Sequence, residues 1–515
     1  MDRPGRVSLL LELPQELRIG ILSYVGFPGL NACLRVCRSL QATVLETAAL
    51  FYVLYLGRTG MCDNPESSLT PPRRLANLKI YNEGWRTLQW ATISKIHIPV
   101  TDWFSLRQDL IVFSRPHAIE NQVREYFRVP SPSRGVTASE WSRKLPAGRL
   151  AYTEDPSNDL FALLTGVVID GATGVSRLRL LQLSTGDDHP SAIAQGTIVL
   201  QYHFQSEPPI FLGTQYILNG YFGCFIGNWT QNQAPTPLPS VSSLHGYIFL
   251  DAEHVATVSG PTMAGPSLHI YTRHSVPRGP GSDPWVLCQD FLLPPVRSSG
   301  LRTTWLARSP GPSPDSLTPQ GDFYPDGKGA LLSVLMNDGR VDEDETTVHL
   351  LVPSYALLSF ISNRNQTDPQ GLRVSWDEWG PANTHVYVYN TPIASLPPIL
   401  YGYRSIPCSR PFPTEDGKWA FQVNDYHPGR IAAARAVARC VPDDQRNWKI
   451  EFGGKLDAQY TNTGDALRTR VPYIATEQII PEEILGGRPE DLNVHLSENS
   501  VVIFHDERMP MLDLS

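Results

Sequence analysis

From about residue 92 onward the chain offers some 400 residues of short apolar runs with no regular helical alternation between them, and this constrains the fold more than any other feature. Strand-like alternation recurs at Leu268-His269-Ile270, Val348-His349-Leu350-Leu351-Val352, Val386-Tyr387-Val388-Tyr389 and Trp419-Ala420-Phe421-Gln422-Val423, the period of half-buried strands. Hairpin signals sit beside such runs: Asp251-Ala252-Glu253 after Tyr247-Ile248-Phe249-Leu250, and Asn337-Asp338-Gly339 after Leu331 to Met336. A parallel sheet would need a crossover helix after each strand, so the pattern argues against one. The 45 Pro and 39 Gly residues, scattered between the runs, read as turns. A β-propeller is the simplest architecture that closes so many strands without long exposed edges. Paired β-sandwiches are the alternative, and no fixed-period repeat is visible.

At 515 residues, with 41% hydrophobic and 18% charged side chains, the chain is globular and long enough for a small unit plus a large domain. The net charge of -8, with no Lys/Arg cluster, lacks the footprint of a phosphate-backbone binder, so nucleic acid is not an expected partner. Seven cysteines contain no Cys-x-x-Cys pair, which suggests neither a disulfide framework nor a zinc site. Cys33 and Cys37 lie one helical turn apart without nearby histidines and read as core residues. No metal or cofactor is expected. Glu12 interrupts the early leucines too soon for a secretory segment, and no later run approaches the ~18 apolar residues of a membrane span. The expectation is a soluble protein of cytoplasm or nucleus, with the Asn-x-Thr triplets at Asn228 and Asn365 as chance matches.

The first sixty residues behave differently. Leu13, Leu17, Ile21, Leu22 and Val25 fall on one helical face, with Pro14 in the first turn where its missing N–H costs nothing. Gly26-Phe27-Pro28 stops that helix. A second stripe contains Leu30, Cys33, Leu34, Cys37 and Leu40. A third helix runs from about Val44 to Leu56 and is apolar on more than one face, so part of it must be buried against something else. Three short helices this rich in leucine predict one half of a hydrophobic interface.

Leu13-Pro14-x-Glu16-Leu17, then Ile21-Leu22-Ser23-Tyr24-Val25, Leu30, Arg35-Val36-Cys37-Arg38 and Leu50-Phe51 together resemble the F-box. Leu40 stands where that family often has tryptophan, and Leu50-Phe51 where it usually has Leu-Trp; both changes stay apolar. The resemblance implies a three-helix module docking the Skp adaptor, and through it a cullin–RING core. The implied docking residues are Leu13, Pro14, Leu17, Ile21, Leu22, Leu30, Leu34, Val36, Cys37, Leu40, Leu50 and Phe51. A surplus of two basic residues in this segment fits an acidic adaptor. The alternative is a helical cap that only packs on the larger domain.

Seven further phrases resemble the F-box proteins of mushroom-type fungi: Trp85-Arg86-x-Leu88, Asp159-Leu160, Leu183-Ser184-Thr185-Gly186-Asp187-Asp188-His189-Pro190, Phe249-Leu250-Asp251, Trp376-Asp377-Glu378-Trp379-Gly380-Pro381, Asp425-Tyr426-His427-Pro428 and Phe504-His505-Asp506-Glu507-Arg508. The implied organisation is an F-box over 8–57, a linker over 58–72, a connecting helix over 73–91 and a propeller-like substrate-recognition domain over 92–515. The implied role is the substrate receptor of a Skp–cullin–F-box ubiquitin ligase with an unknown target protein and no membrane partner. A non-enzymatic scaffold or carbohydrate-binding module is the other reading.

Two constellations invite a catalytic reading: Asp187-Asp188-His189, and Asp377-Glu378 between two tryptophans. Glycosidase carboxylates must face each other across a substrate, whereas neighbours on a strand point to opposite sides. Both segments are therefore expected as turns, with Gly186 supplying an unusual φ, and the chain is not expected to be an enzyme.

Overall fold

The computed structural model describes residues 9–88, 103–114, 123–145, 149–167, 175–192, 196–200, 209–212, 214–220, 223–231, 235–238, 244–259, 266–273, 284–295, 303–308, 321–326, 330–337, 347–367, 373–389, 399–457, 466–485, 492–497 and 500–505. Six antiparallel sheets follow one another along the chain. The first is built from Trp103–Arg107, Leu110–Ser114, Val123–Arg128 and Ser139–Lys144, and the second from Arg149–Asp155, Leu160–Val167, Val175–Gln182 and Thr197–Leu200. The third comprises Ile210–Leu212, Gln215–Gly220, Gly223–Asn228 and Thr236–Pro237, and the fourth Leu244–Phe249, His254–Ser259, Ser267–Arg273 and Trp285–Leu292. Thr303–Arg308, Leu331–Asn337, Thr347–Pro353 and His385–Tyr389 make the fifth. The sixth has the order Ile399–Tyr401, Arg404–Ile406, Trp419–Asp425, Pro472–Ile479, Trp448–Phe452.

Successive residues of a strand face opposite sides, and here each side meets a different neighbouring sheet. In Leu160–Val167, Phe161 and Leu163 pack with Leu110, Val112 and Tyr126 of the first sheet, while Leu160, Ala162 and Leu164 pack with Tyr216, Leu218 and Trp229 of the third. Ile217 and Ile226 join the third sheet to Phe249 and Val255 of the fourth. Ile270 and Phe291 join the fourth to Val334 and Leu350 of the fifth. Leu331 and Leu351 join the fifth to Tyr426 and Tyr473 of the sixth. The circuit closes through the carboxy-terminal hairpin Leu492–Leu496/Val501–His505: Leu492 and Val494 pack on Tyr401 and Val423 of the sixth sheet, and Val502 on Ile111 and Phe113 of the first. The fold is a six-bladed β-propeller. Sheet-to-sheet contact that returns to its starting point separates it from a pair of sandwiches.

Burial on both faces corrects the expectation of half-buried strands: every residue of Thr347–Pro353 is buried. The hairpin expected at Asp251 is present, its carboxylate accepting from the N–H groups of Glu253 and His254, both at 2.8 Å. The turn expected at Asn337-Asp338-Gly339 lies largely outside the described residues.

A repeat does exist, in hydrogen bonding. In every blade the residue at or just past the end of the third strand donates its N–H to a carbonyl in the turn between the first two: Val129 to Asp109, Leu183 to Asp159, Trp229 to Thr214, Arg273 to Glu253, Ser354 to Ala330 and Tyr426 to Tyr403, at 2.6–2.9 Å. These turns gather at one end of the ring, because first-to-second and third-to-fourth connections of a meander share an end.

Before the ring come helices α1 (Leu9–Glu12), α2 (Gln15–Ser23), α3 (Phe27–Cys33), α4 (Arg38–Glu46) and α5 (Ala48–Thr59). There are five segments where three were expected. Pro14 caps α2 with extended backbone and separates it from α1. Thr47, at φ -88° and ψ 107°, breaks the third expected helix, and its two halves meet at 91°.

The segment expected as a linker is structured. Met61–Asp63 is a strand paired with Phe323–Pro325 from the fifth blade's first turn region. The Asn64 side chain donates to Gly321 O at 2.6 Å, and Ser67 Oγ to Asp322 Oδ1 at 2.7 Å. Then α6 (Pro71–Thr87) buries Leu75, Leu78, Tyr81 and Trp85 among Phe323, Tyr401, Ile406 and Phe421. Tyr52 and Leu56 of α5 enter the same core. The surplus apolar face of the third expected helix is therefore covered by the chain itself.

Between the third and fourth strands of the fifth blade the chain detours through α7 (Ser354–Thr367), the short strand Arg373–Val374 and α8 (Trp376–Asn383). Arg373–Val374 adds in parallel to the outer strand of the fourth blade and covers its edge.

Candidate docking face and its joint to the propeller

The twelve residues singled out in the helical unit divide in two. Leu22, Leu30, Leu40 and Leu50 are buried and form, with Val44 and Leu54, the unit's own core. Leu34, Cys37 and Phe51 are half-buried against it, and Leu13 is half-buried in the bend between α1 and α2. None of the four core leucines offers surface to a partner, so their contribution is to the unit's fold. Pro14, Leu17, Ile21 and Val36 are exposed.

Leu17 is 56% exposed, Ile21 45% and Val36 69%, and two residues not singled out, Leu9 at 80% and Tyr24 at 92%, are more so. Of the nine large apolar side chains exposed among the described residues, six lie between Leu9 and Leu45. That concentration is what separates a patch from scattered surface leucines. Leu17, Ile21 and Tyr24 have the i, i+4, i+7 spacing of one helical face, opposite Leu22. Arg18 Nη1 donates to Ser39 Oγ at 3.0 Å, which brings the start of α4, and with it the Val36 turn, alongside α2. Arg35 and Arg38 border Val36 in sequence, both exposed.

The unit is held to the ring by a buried ionic joint. The Asp425 carboxylate, at the end of the sixth blade's third strand, accepts from Arg430 Nε at 2.6 Å, Arg430 Nη2 at 3.0 Å and the His427 N–H at 2.9 Å, with Arg404 Nε at 3.7 Å. Arg430 Nη1 then donates to Thr59 O, the last residue of α5, at 2.5 Å. Burial alone would raise the Asp425 pKa, but Arg430 and Arg404 hold it below the usual carboxylate range. His427 caps α9 (Pro428–Ala438) by accepting from Arg430 N, and burial keeps its pKa well below the usual value. Gly60 ends α5 at φ +69° with its Cα facing the His427 ring, where a side chain would suffer both strain and collision. A second tie lies beside it: Tyr52 OH donates to Asp63 Oδ1 at 2.8 Å, and Arg74 Nη1 to the same oxygen at 2.5 Å. Sequence reading missed this joint, although Asp425-Tyr426-His427-Pro428 was among its singled-out phrases.

Asp187 to His189 lie in the turn expected there. Gly186 has φ +90°, Asp188 pairs with Arg179 at 3.2 Å, and His189 is buried edge-on to Trp229, its Nε2 3.0 Å from Asn158 O. Trp376 to Pro381 correct the expectation of a turn: they form α8, with Trp376 and Trp379 buried edge to face at 5.4 Å and Trp379 Nε1 donating to Leu292 O at 2.8 Å. Asp377 and Glu378 are exposed in its first turn, where adjacent residues diverge by about 100°. Cys33 and Cys37 pack against the unit's core as expected, and among the described residues no group of three metal-ligating side chains occurs. Phe504 to Arg508 fall largely outside the described side chains.

No family model matches the chain, and no curated protein does. Among solved structures it is similar to Kluyvelomyces marxianus Hsv2, at 12% identity over 51% of this chain and 70% of that one, TM-score 0.24. It is similar to a eukaryotic initiation factor, at 8% identity over 61% of this chain and 59% of that one, TM-score 0.27. The amino-terminal domain of Nup159 matches at 7% identity over 62% of this chain and 84% of that one, TM-score 0.24. At these scores the propeller assignment stands on the chain's own sheets.

Proposed function

We propose that this chain is the substrate receptor of a Skp–cullin–F-box ubiquitin ligase, acting in cytoplasm or nucleus without catalysis of its own. Its helical unit docks the Skp adaptor through Leu17, Ile21, Tyr24 and Val36, and its propeller holds a target protein. The observation that carries the reading is the concentration of exposed apolar side chains on one small unit that already has a complete core. The F-box-like order of motifs over the same residues supports it.

The scaffold reading, in which the helices only cap the propeller, draws on Tyr52 and Leu56 lying in the propeller's core. It leaves the α2 face without a role. The double substitution Ile21→Asp with Val36→Asp separates the two readings, because both positions are solvent-facing. Each aliphatic side chain buried on docking is worth roughly 1.5–3 kcal/mol, and a buried carboxylate costs more, so capture of purified Skp adaptor should fall at least a hundredfold. An unchanged melting temperature shows that the variant is folded. Undiminished capture by a folded double variant would refute the docking role.

A further inference from the structure

The outer strand of the sixth blade, Trp448–Phe452, pairs on its inner side with Pro472–Ile479 and has no strand on its other side among the described residues, whereas the fourth blade's outer strand is covered by Arg373–Val374. Which backbone groups this leaves open follows from the ladder. Glu477 N–H donates to Asn447 O at 3.0 Å and Gly453 N–H to Val471 O at 2.9 Å, so the odd-numbered residues bond inward. The N–H and C=O groups of Trp448, Ile450 and Phe452 therefore point outward, and among the described residues nothing bonds them. The strand itself is firmly seated, with Trp448 and Ile450 packed on Ile431 and Ala434 of α9. Phe452 is 62% exposed, more than any other large apolar side chain described in the ring.

The segment Trp448-Lys449-Ile450-Glu451-Phe452 complements an antiparallel copy of itself. With Ile450 opposite Ile450 of a second copy, Trp448 stands opposite Phe452, and the outward groups of all three residues meet as hydrogen-bonded pairs. Lys449 then faces Glu451 of the second copy at a position without backbone bonds, where Cα atoms approach to about 4.5 Å. Sliding one strand by a single residue sets outward groups against inward-bonded ones, and sliding it by two sets Lys449 against Lys449 or Glu451 against Glu451. Within each chain Lys449 Nζ already lies 2.6 Å from Glu451 Oε1, and Tyr473 OH donates to Glu451 Oε2. Pairing keeps both contacts and gives each charge a second neighbour of opposite sign. The open backbone groups supply the attraction, and the charges select the register.

We propose that Trp448–Phe452 is a self-recognition edge, through which two copies of this chain join antiparallel about a two-fold axis and continue the sixth blade's sheet from one copy into the other. The occupant is a second copy because the register that pairs the backbone groups also opposes Lys449 to Glu451 on both sides of the axis. A contact of one short strand is smaller than a permanent dimer requires, so the expected dissociation constant is roughly 10–100 μM. The edge uses no residue of the helical unit and does not depend on adaptor docking.

Sedimentation velocity on the full chain alone, from about 1 to 200 μM, reads the association, and wild type should pass from monomer to dimer across that range. Phe452→Pro removes an outward N–H and leaves the ladder to Pro472–Ile479 intact, so it should weaken the dimer at least tenfold. Lys449→Glu and Glu451→Lys each set like charges opposite one another and should each weaken it about tenfold. Mixing these two variants restores opposite charges at both positions across the edge, so the mixture should dimerise as wild type does. That rescue keeps the test open if Phe452→Pro misfolds, and melting temperatures show which variants are folded. A wild-type chain that stays monomeric, whether its edge is idle or takes a strand from another protein, would overturn the proposal. Undiminished dimerisation by the folded single variants, or no gain on mixing them, would do the same.

Discussion

Replacing Asp425 by alanine should loosen the joint between helices and ring at a cost that can be bounded. The native carboxylate takes two bonds from Arg430 and has Arg404 at 3.7 Å, with both guanidinium groups mostly withdrawn from water. At the effective dielectric appropriate to proteins, each such pair is worth about 4 kcal/mol of attraction, against a desolvation penalty of several kcal/mol per ion. The net value of the triad is therefore small, but removing the single anion leaves two adjacent cations buried without it. Breaking buried pairs in this way costs about 3–5 kcal/mol. Urea unfolding of wild type and Asp425→Ala at pH 7 measures the difference. The triple change Asp425→Ala, Arg430→Met, Arg404→Met should recover much of the loss, since it deletes the stranded charges. The sign with pH is also fixed. The folded pKa lies below the unfolded value near 3.9, so the stabilisation is present above pH 3.9 and is lost as pH falls through the folded pKa. A loss under 1 kcal/mol in Asp425→Ala, or none recovered by the triple change, would refute the account of the joint.

His349 and His385 lie buried between the fifth and sixth blades, and burial lowers each from 6.5 to about 4. The unfolded chain then binds protons that the folded one refuses. Stability is full above pH 6.5 and should fall by about 1.4 kcal/mol per pH unit for each histidine down to pH 4, a slope that His385→Gln would reduce in pH-dependent unfolding. Trp85→Ala removes a buried indole from the core shared by α6 and the sixth blade, with Arg404 4.0 Å from its ring centre, and should cost about 3–5 kcal/mol by the same assay. A loss under 1 kcal/mol would mean that α6 is not seated there.

Much of the β-domain was legible because short apolar runs mark its strands, some of them alternating in burial as at Leu268-His269-Ile270. The blade repeat was not. The residues linked by its recurrent bond stand anywhere from 15 to 24 positions apart, since the turns differ in length, and the bonding groups are backbone atoms that any residue supplies. Met61-Cys62-Asp63 read as linker because three residues amid Gly, Pro and Ser carry no period, although they pair with a strand some 260 residues away. Gly380 and Pro381 disguised α8, where Pro381 is tolerated inside an eight-residue helix. The exposed apolar face of the helical unit was only half legible. Helical spacing marks Leu22 and Ile21 as equally apolar, and only packing decides that one is core and the other surface. The joint escaped because Asp425, Arg430 and Thr59 acquire meaning only when distant segments meet.

The bond from Arg430 to Thr59 spans 371 residues. At cellular synthesis rates of about 5–20 residues per second, α5 emerges from the ribosome roughly 20–70 seconds before the arginine that clamps it exists. During that interval Tyr52 and Leu56 lack their later cover, beside the partly exposed face of α2. A protein that engaged α2 during translation would shelter that face over the same interval.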